Sequence, residues 1–110
     1  MHVGVARLTF ALPGCRSLKQ KRGVVRRIVD RTAARFNAAV AEVDTLDAHQ
    51  QAVIGFAVVS NEAGHANEMA DKLADYASSP TVCGEAYVTD RYVEVVPIGA
   101  DWDGFGWDVE

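Results

Sequence analysis

The sixteen residues LPGCRSLKQKRGVVRR, Leu12 to Arg27, concentrate the side chains best suited to chemistry in this chain, and that chemistry is anion binding. Arg16, Lys19, Lys21, Arg22, Arg26 and Arg27 supply cations, and Ser17 stands where a helix would begin. Ser17 followed three residues later by Gln20 has the spacing of a capping box, in which each side chain satisfies a free backbone N–H of the first turn. Unpaired N–H groups and a partial positive charge collect at a helix start. A phosphate held at Ser17 would therefore meet backbone donors together with Arg16, Lys19 and Lys21. The run is not a nucleotide-hydrolysing phosphate loop: Gly14 is not followed by a second glycine directly before a lysine, as GxxxxGK[ST] requires.

The surrounding charge sharpens the point. From Arg16 to Arg35 eight basic residues face Asp30 alone, a balance of +7 in a chain whose net charge is −4, which leaves −11 on the remainder. Such a dipole suits a polyanion such as RNA, whose phosphates the basic residues would contact without reading sequence; sequence-specific DNA recognition is not expected. The competing interpretation is a solvated helix face paired with acids of its own chain, among which Glu42 is a candidate partner.

Other reactive side chains are sparse. Glu42, Asp44, Asp47 and His49 cluster in sequence, yet their spacing matches no metal or proton-transfer site, and a solvated loop is the simpler expectation. Cys15 and Cys83 belong to no CxxC or Cys/His pattern and read as free thiols. His2 and His65 have no partners at catalytic spacing. No serine, histidine and acid set can be assembled, so no enzymatic activity, cofactor or metal is expected.

The elements that must position the basic run follow from periodicity. Residues 3–12, VGVARLTFAL, have strand composition and stop at Pro13-Gly14. A helix then starts near Leu18, with Leu18, Val25, Ile28, Val29, Thr32, Ala33 and Phe36 as its inward stripe. At 100° per residue Lys19, Arg22 and Arg26 flank one edge, and Arg27, Arg31 and Arg35 form the far side. AAVAEVD and QAVIGFAVVS, joined by TLDAHQ, make an antiparallel hairpin. Ser60 or Asn61 caps a second helix, with Ala66, Met69, Ala70, Leu73 and Ala77 inward, and Ser78-Ser79-Pro80 ends it. The last strand lies within CGEAYVTDRYVEVVPI, centred on Tyr92 to Val96.

The order βαββαβ predicts an α+β, ferredoxin-like sandwich: a four-stranded antiparallel sheet with both helices on one face. At 110 residues, 49% of them hydrophobic, a single globular domain over residues 1–98 can bury roughly two thirds of its unfolded surface. Residues 99–110, acidic and aromatic, read as a flexible tail. No signal peptide or membrane span is apparent, and a cytoplasmic location is the default. GFAVV faintly resembles an RNA-recognition strand motif, but Val58 and Asn61 stand where aromatics are needed, so Phe56 is assigned to the core. Ala52 to Val59 is apolar at nearly every position, so the sheet's open face also wants cover, from a second copy of the chain, from the tail's Trp102, Phe105 and Trp107, or from a partner.

The segments LPGCRSLKQKRGVVRRIVDR, RFNAAVAEVD and AVIGFAVVSN together resemble the YlxP-like family of small bacterial proteins, a domain of unknown function, over about residues 1–97. The corresponding motif residues are Ser17, Leu18, Lys19, Lys21, Arg22, Phe36, Asn37, Ala41 and Glu42. His49 stands where the family often has an aromatic, and the tail has no counterpart. The resemblance implies a ferredoxin-like fold and, through the genes that accompany the family, work around RNA. Two functions follow as expectations: a non-enzymatic accessory factor that binds RNA or a ribosomal particle through Arg16, Ser17, Lys19, Lys21, Arg22, Arg26 and Arg27, or a dimeric ligand-sensing or protein-interaction module that uses the open sheet face.

Overall fold

In a computed structural model, which describes residues 1–99, the chain runs β1 (His2–Ala11), α1 (Leu18–Phe36), β2 (Ala39–Asp44), β3 (Gln51–Ser60), α2 (Ala63–Ser78), α3 (Pro80–Cys83) and β4 (Tyr87–Pro97). The strands form one antiparallel sheet in the order β2-β3-β1-β4. The ferredoxin-like βαββαβ arrangement is thus present, with β3 inserted between β1 and β2. Nearly all of the proposed tail lies outside the described residues.

Alternation decides which side of the sheet is covered. Ala6, Leu8 and Phe10 of β1 and Ala52, Ile54, Phe56 and Val58 of β3 are buried against α1 and α2, and join Val25, Ile28, Leu73, Ala74 and Ala77 in one core. Phe56 is 2% exposed, as a core residue should be. Gly4 lets α2 approach closely: a Cβ there would lie 2.5 Å from the carbonyl oxygen of Ala66. The other side of β3 carries Val53, Gly55, Ala57 and Val59, which explains the unbroken apolar run: one half is core, and on the other half Val53 is buried, Gly55 and Ala57 are half-buried and Val59 is exposed. Val43 leans over Gly55, where a Cβ would lie 3.0 Å from its Cγ1, while Val43 and Val59 themselves stay 53% and 62% exposed.

One local expectation needs correction, and two neighbouring elements gain detail. The N-cap of α2 is Glu62, not Ser60 or Asn61; the Ser60 hydroxyl instead accepts from the Glu62 N–H at 3.1 Å, one residue before the helix. Helix α2 ends at Ser78, as Ser78-Ser79-Pro80 requires, and Pro80 then opens the short helix α3, its fixed φ being compatible with a first helical position. The last strand lies within the stretch expected for it: β4 pairs along all of β1, across an irregularity between Thr9 and Phe10.

Candidate anion-binding face and neighbouring cleft

Helix α1 begins as its sequence requires. Ser17 is the N-cap, and its hydroxyl accepts from the Gln20 N–H at 3.2 Å. Gln20 reaches back to the Arg16 N–H at 2.5 Å, one residue earlier than in a standard capping box. The amides of Leu18 and Lys19 have no intrahelical acceptor at this end, and Arg16, Ser17 and Lys19 are exposed around them. At the other end Asn37 takes the left-handed conformation, φ 52°, that ends the helix.

The basic residues divide into three groups. Lys21 is not on the surface: it is 1% exposed, its Nζ lies 2.7 Å from Glu42 Oε2 and donates to the Thr45 carbonyl at 2.5 Å. Lys21 therefore does not belong to the anion-binding face. The cause is helical phase: Lys21 shares the inward stripe with Val25, Ile28 and Thr32, so its ammonium must find a partner inside, and Glu42 on the helix-facing side of β2 is there.

Arg27, Arg31 and Arg35 are exposed but do not form a free outer face. Arg27 Nε donates to the Val82 carbonyl at 3.0 Å, Arg31 donates to the Thr81 carbonyl at 2.7 Å, and the Arg35 guanidinium lies 5.4 Å from the Tyr76 ring. The unforeseen α3 brings those carbonyls to this flank. Its partners are neutral, so the three charges are held in place and not cancelled.

Arg16, Lys19, Arg22 and Arg26 make the third group. By helix geometry Lys19, Arg22 and Arg26 fall within one narrow sector, on the flank opposite α3, with Arg16 at its N-terminal end. All four are exposed. Among the described residues, the ion pairs are Arg7–Asp90, Lys21–Glu42, Arg91–Asp71 and Arg91–Asp75, so of the eight basic residues of the run only Lys21 is paired with a carboxylate. The bland alternative of internal neutralisation thus holds for one residue in eight.

The other candidates do not converge. Glu42 turns to Lys21, Asp44 accepts from the Thr45 N–H at 2.7 Å, and His49 and His65 are exposed. No set of three or more His, Cys, Asp or Glu side chains able to hold a metal ion occurs among the described residues. Both cysteines are free and buried. Burial pushes the Cys83 thiol pKa up, with opposing smaller contributions from its backbone hydrogen bond and the nearby Arg27 charge.

One feature with no signal in the sequence is a cleft of about 350 Å³ between the β1–α1 loop, α1 and the α3–β4 turn. Leu12, Val24 and Ala86 line it together with both cysteines, and Arg27 and Glu85 supply its charged groups. Only the fold brings residues 12–27 against residues 83–86.

Comparison with known proteins agrees with this architecture. A family model described as "Protein of unknown function (DUF503)" matches residues 3–90. No curated protein matches the chain. Among solved structures it is similar to a de novo designed protein with a ferredoxin fold, studied by solution NMR, with a TM-score of 0.52 at 16% identity, over 93% of this chain and 91% of that one. At that identity the likeness concerns the fold alone.

Proposed function

Starting from the premise that the chain belongs to the DUF503 family of proteins of unknown function, we propose that it is a non-enzymatic accessory factor that docks on RNA, free or in a ribosomal particle, through helix α1. The observation that carries this reading is the sector Arg16, Lys19, Arg22 and Arg26, exposed and without carboxylate partners among the described residues, on a chain of net charge −4. An acidic protein gains nothing in solubility from collecting its cations on one rod, whereas a polyanion meets a concentrated potential there. The amides at the start of α1 add donors that favour a phosphate at that end. Arg27, Arg31 and Arg35, fixed on the adjacent flank, strengthen the field without needing to touch the RNA.

The test is binding of a structured RNA followed by fluorescence anisotropy, with the triple variant K19E/R22E/R26E beside the parent chain. All three positions are exposed and within α1, and a glutamate at position 19 suits the first turn, so the variant should keep its circular dichroism spectrum. Loss of binding with the fold intact supports the proposal; undiminished binding by the variant overturns it.

A second reading is favoured by a separate observation. The open sheet face combines the small residues Ala39, Ala41, Gly55 and Ala57 with Val43 and Val59, each more than half exposed, as a docking surface for a second copy or another protein would. Sedimentation at high micromolar concentration decides it: a monomer removes the dimeric form of this reading.

A further inference from the structure

The cleft between the β1–α1 loop and the α3–β4 turn carries charges of both signs that do not neutralise each other. Arg27 is anchored through Nε on Val82, and its two terminal nitrogens make no hydrogen bond or ion pair among the described residues. Gly84, at φ +64°, lies against one of them; a Cβ there would sit 2.5 Å from Nη2, so only a glycine lets the guanidinium occupy this place. A guanidinium fixed by its Nε presents paired N–H donors, the arrangement that suits a carboxylate. The Glu85 carboxylate lies on the Gly14 side of the same cleft, where a Cβ on Gly14 would be 3.4 Å from its Oε1. Arg27 and Glu85 form no ion pair with each other among the described residues, so both remain able to meet a ligand.

Beside the two charges the cleft is lined mainly by apolar side chains, among them Leu12, Val24 and Ala86. A cavity of about 350 Å³ stands at the small end of the range for ligand sites, roughly 300–1,000 Å³, and suits a metabolite with few heavy atoms better than a nucleotide. A molecule complementary to all three features carries a carboxylate, an ammonium and a short apolar body. We infer that this cleft binds a free apolar α-amino acid, its carboxylate on Arg27, its ammonium on Glu85 and its side chain against Leu12, Val24 and Ala86. The site is separate from the Arg16–Arg26 sector, so it stands whether or not α1 binds RNA.

The experiment is an NMR titration of the full-length, ¹⁵N-labelled protein with L-leucine, L-methionine and L-phenylalanine. Leucinamide, which lacks the carboxylate, and 4-methylpentanoate, which lacks the ammonium, serve as controls. The expected result is saturable shifts confined to the amides around Gly14, Cys15, Gly84 and Ala86 with at least one amino acid, and none with either control. Glu85→Gln, at an exposed position, should weaken binding about tenfold or more by removing one charged partner, and Val24→Phe, which fills the cleft, should abolish it while both variants keep a native spectrum. Absence of saturable shifts with all three amino acids, equal response to the controls, or binding unchanged in both variants overturns the inference.

Discussion

Removing one partner of the Lys21–Glu42 pair should be far more damaging than removing both. Lys21 is 2% exposed at its side chain and Glu42 17%, with 2.7 Å between the charged atoms, so each is the other's main compensation for lost water. Deleting one side of such a pair costs roughly 3–5 kcal/mol, because the remaining charge stays buried. Lys21→Met should fall near the lower figure, since Glu42 retains some contact with solvent. Glu42→Ala should fall near the upper, because the ammonium keeps only the Thr45 carbonyl. The double variant K21M/E42L replaces the pair with hydrocarbon and should lie close to the parent, so the three measurements are strongly non-additive. Urea unfolding at neutral pH reads this directly: with a slope of about 2 kcal/mol/M, the single variants lose about 1.5–2.5 M of midpoint. Single variants within about 1 kcal/mol of the parent, adding simply in the double, would refute the reasoning and return Lys21 to the exposed surface.

Other expectations follow from single contacts. Gly4→Ala should destabilise by about 1–3 kcal/mol, seen as a lowered urea midpoint, because its Cβ meets the backbone of α2 at Ala66. Cys83, 1% exposed, should resist alkylation in the native protein. With its pKa raised chiefly by burial, the protonated thiol is the form the fold favours, so its contribution to stability is complete below the ordinary thiol range and is lost as pH rises through the raised value. A thiol-counting assay against pH checks this. The Tyr92 hydroxyl donates to Glu94 at 2.6 Å, which favours the neutral phenol and raises its pKa, so Glu94→Gln should lower the tyrosine titration followed by ultraviolet difference absorbance.

The fold was legible because its signals are local. The Ser17–Gln20 spacing, the inward stripe of α1 and the alternation of β1 are each set within one turn or one strand, and the order of elements then leaves few topologies. The division of the basic run was not legible in full. Lys21 lies between Lys19 and Arg22 in the sequence, and only the phase of α1 against β2 turns it inward, onto a carboxylate twenty-one residues away. The sequence offers Glu42 as a partner for the helix but does not distinguish which of its cations it meets. Several residues carried by the family resemblance take structural parts: Ser17 caps α1, Asn37 ends it, and Lys21 and Glu42 bind its first half to β2. The cleft has no signal in the sequence because α3, whose carbonyls anchor Arg27 and Arg31, is a single turn with no periodicity to announce it.

If the Arg16–Arg26 sector is an outward electropositive surface that meets phosphates, as proposed, the salt dependence of RNA affinity reports it. Four phosphate contacts, at about 0.7–0.9 released ions each, predict that raising salt from roughly 50 to 200 mM weakens binding about 50- to 150-fold. K19E/R22E/R26E should show almost no binding to weaken, while K21M, measured where it remains folded, should keep the parent's slope. A flat salt response in the parent, or a slope that changes with Lys21 and not with the outer three, would contradict the account.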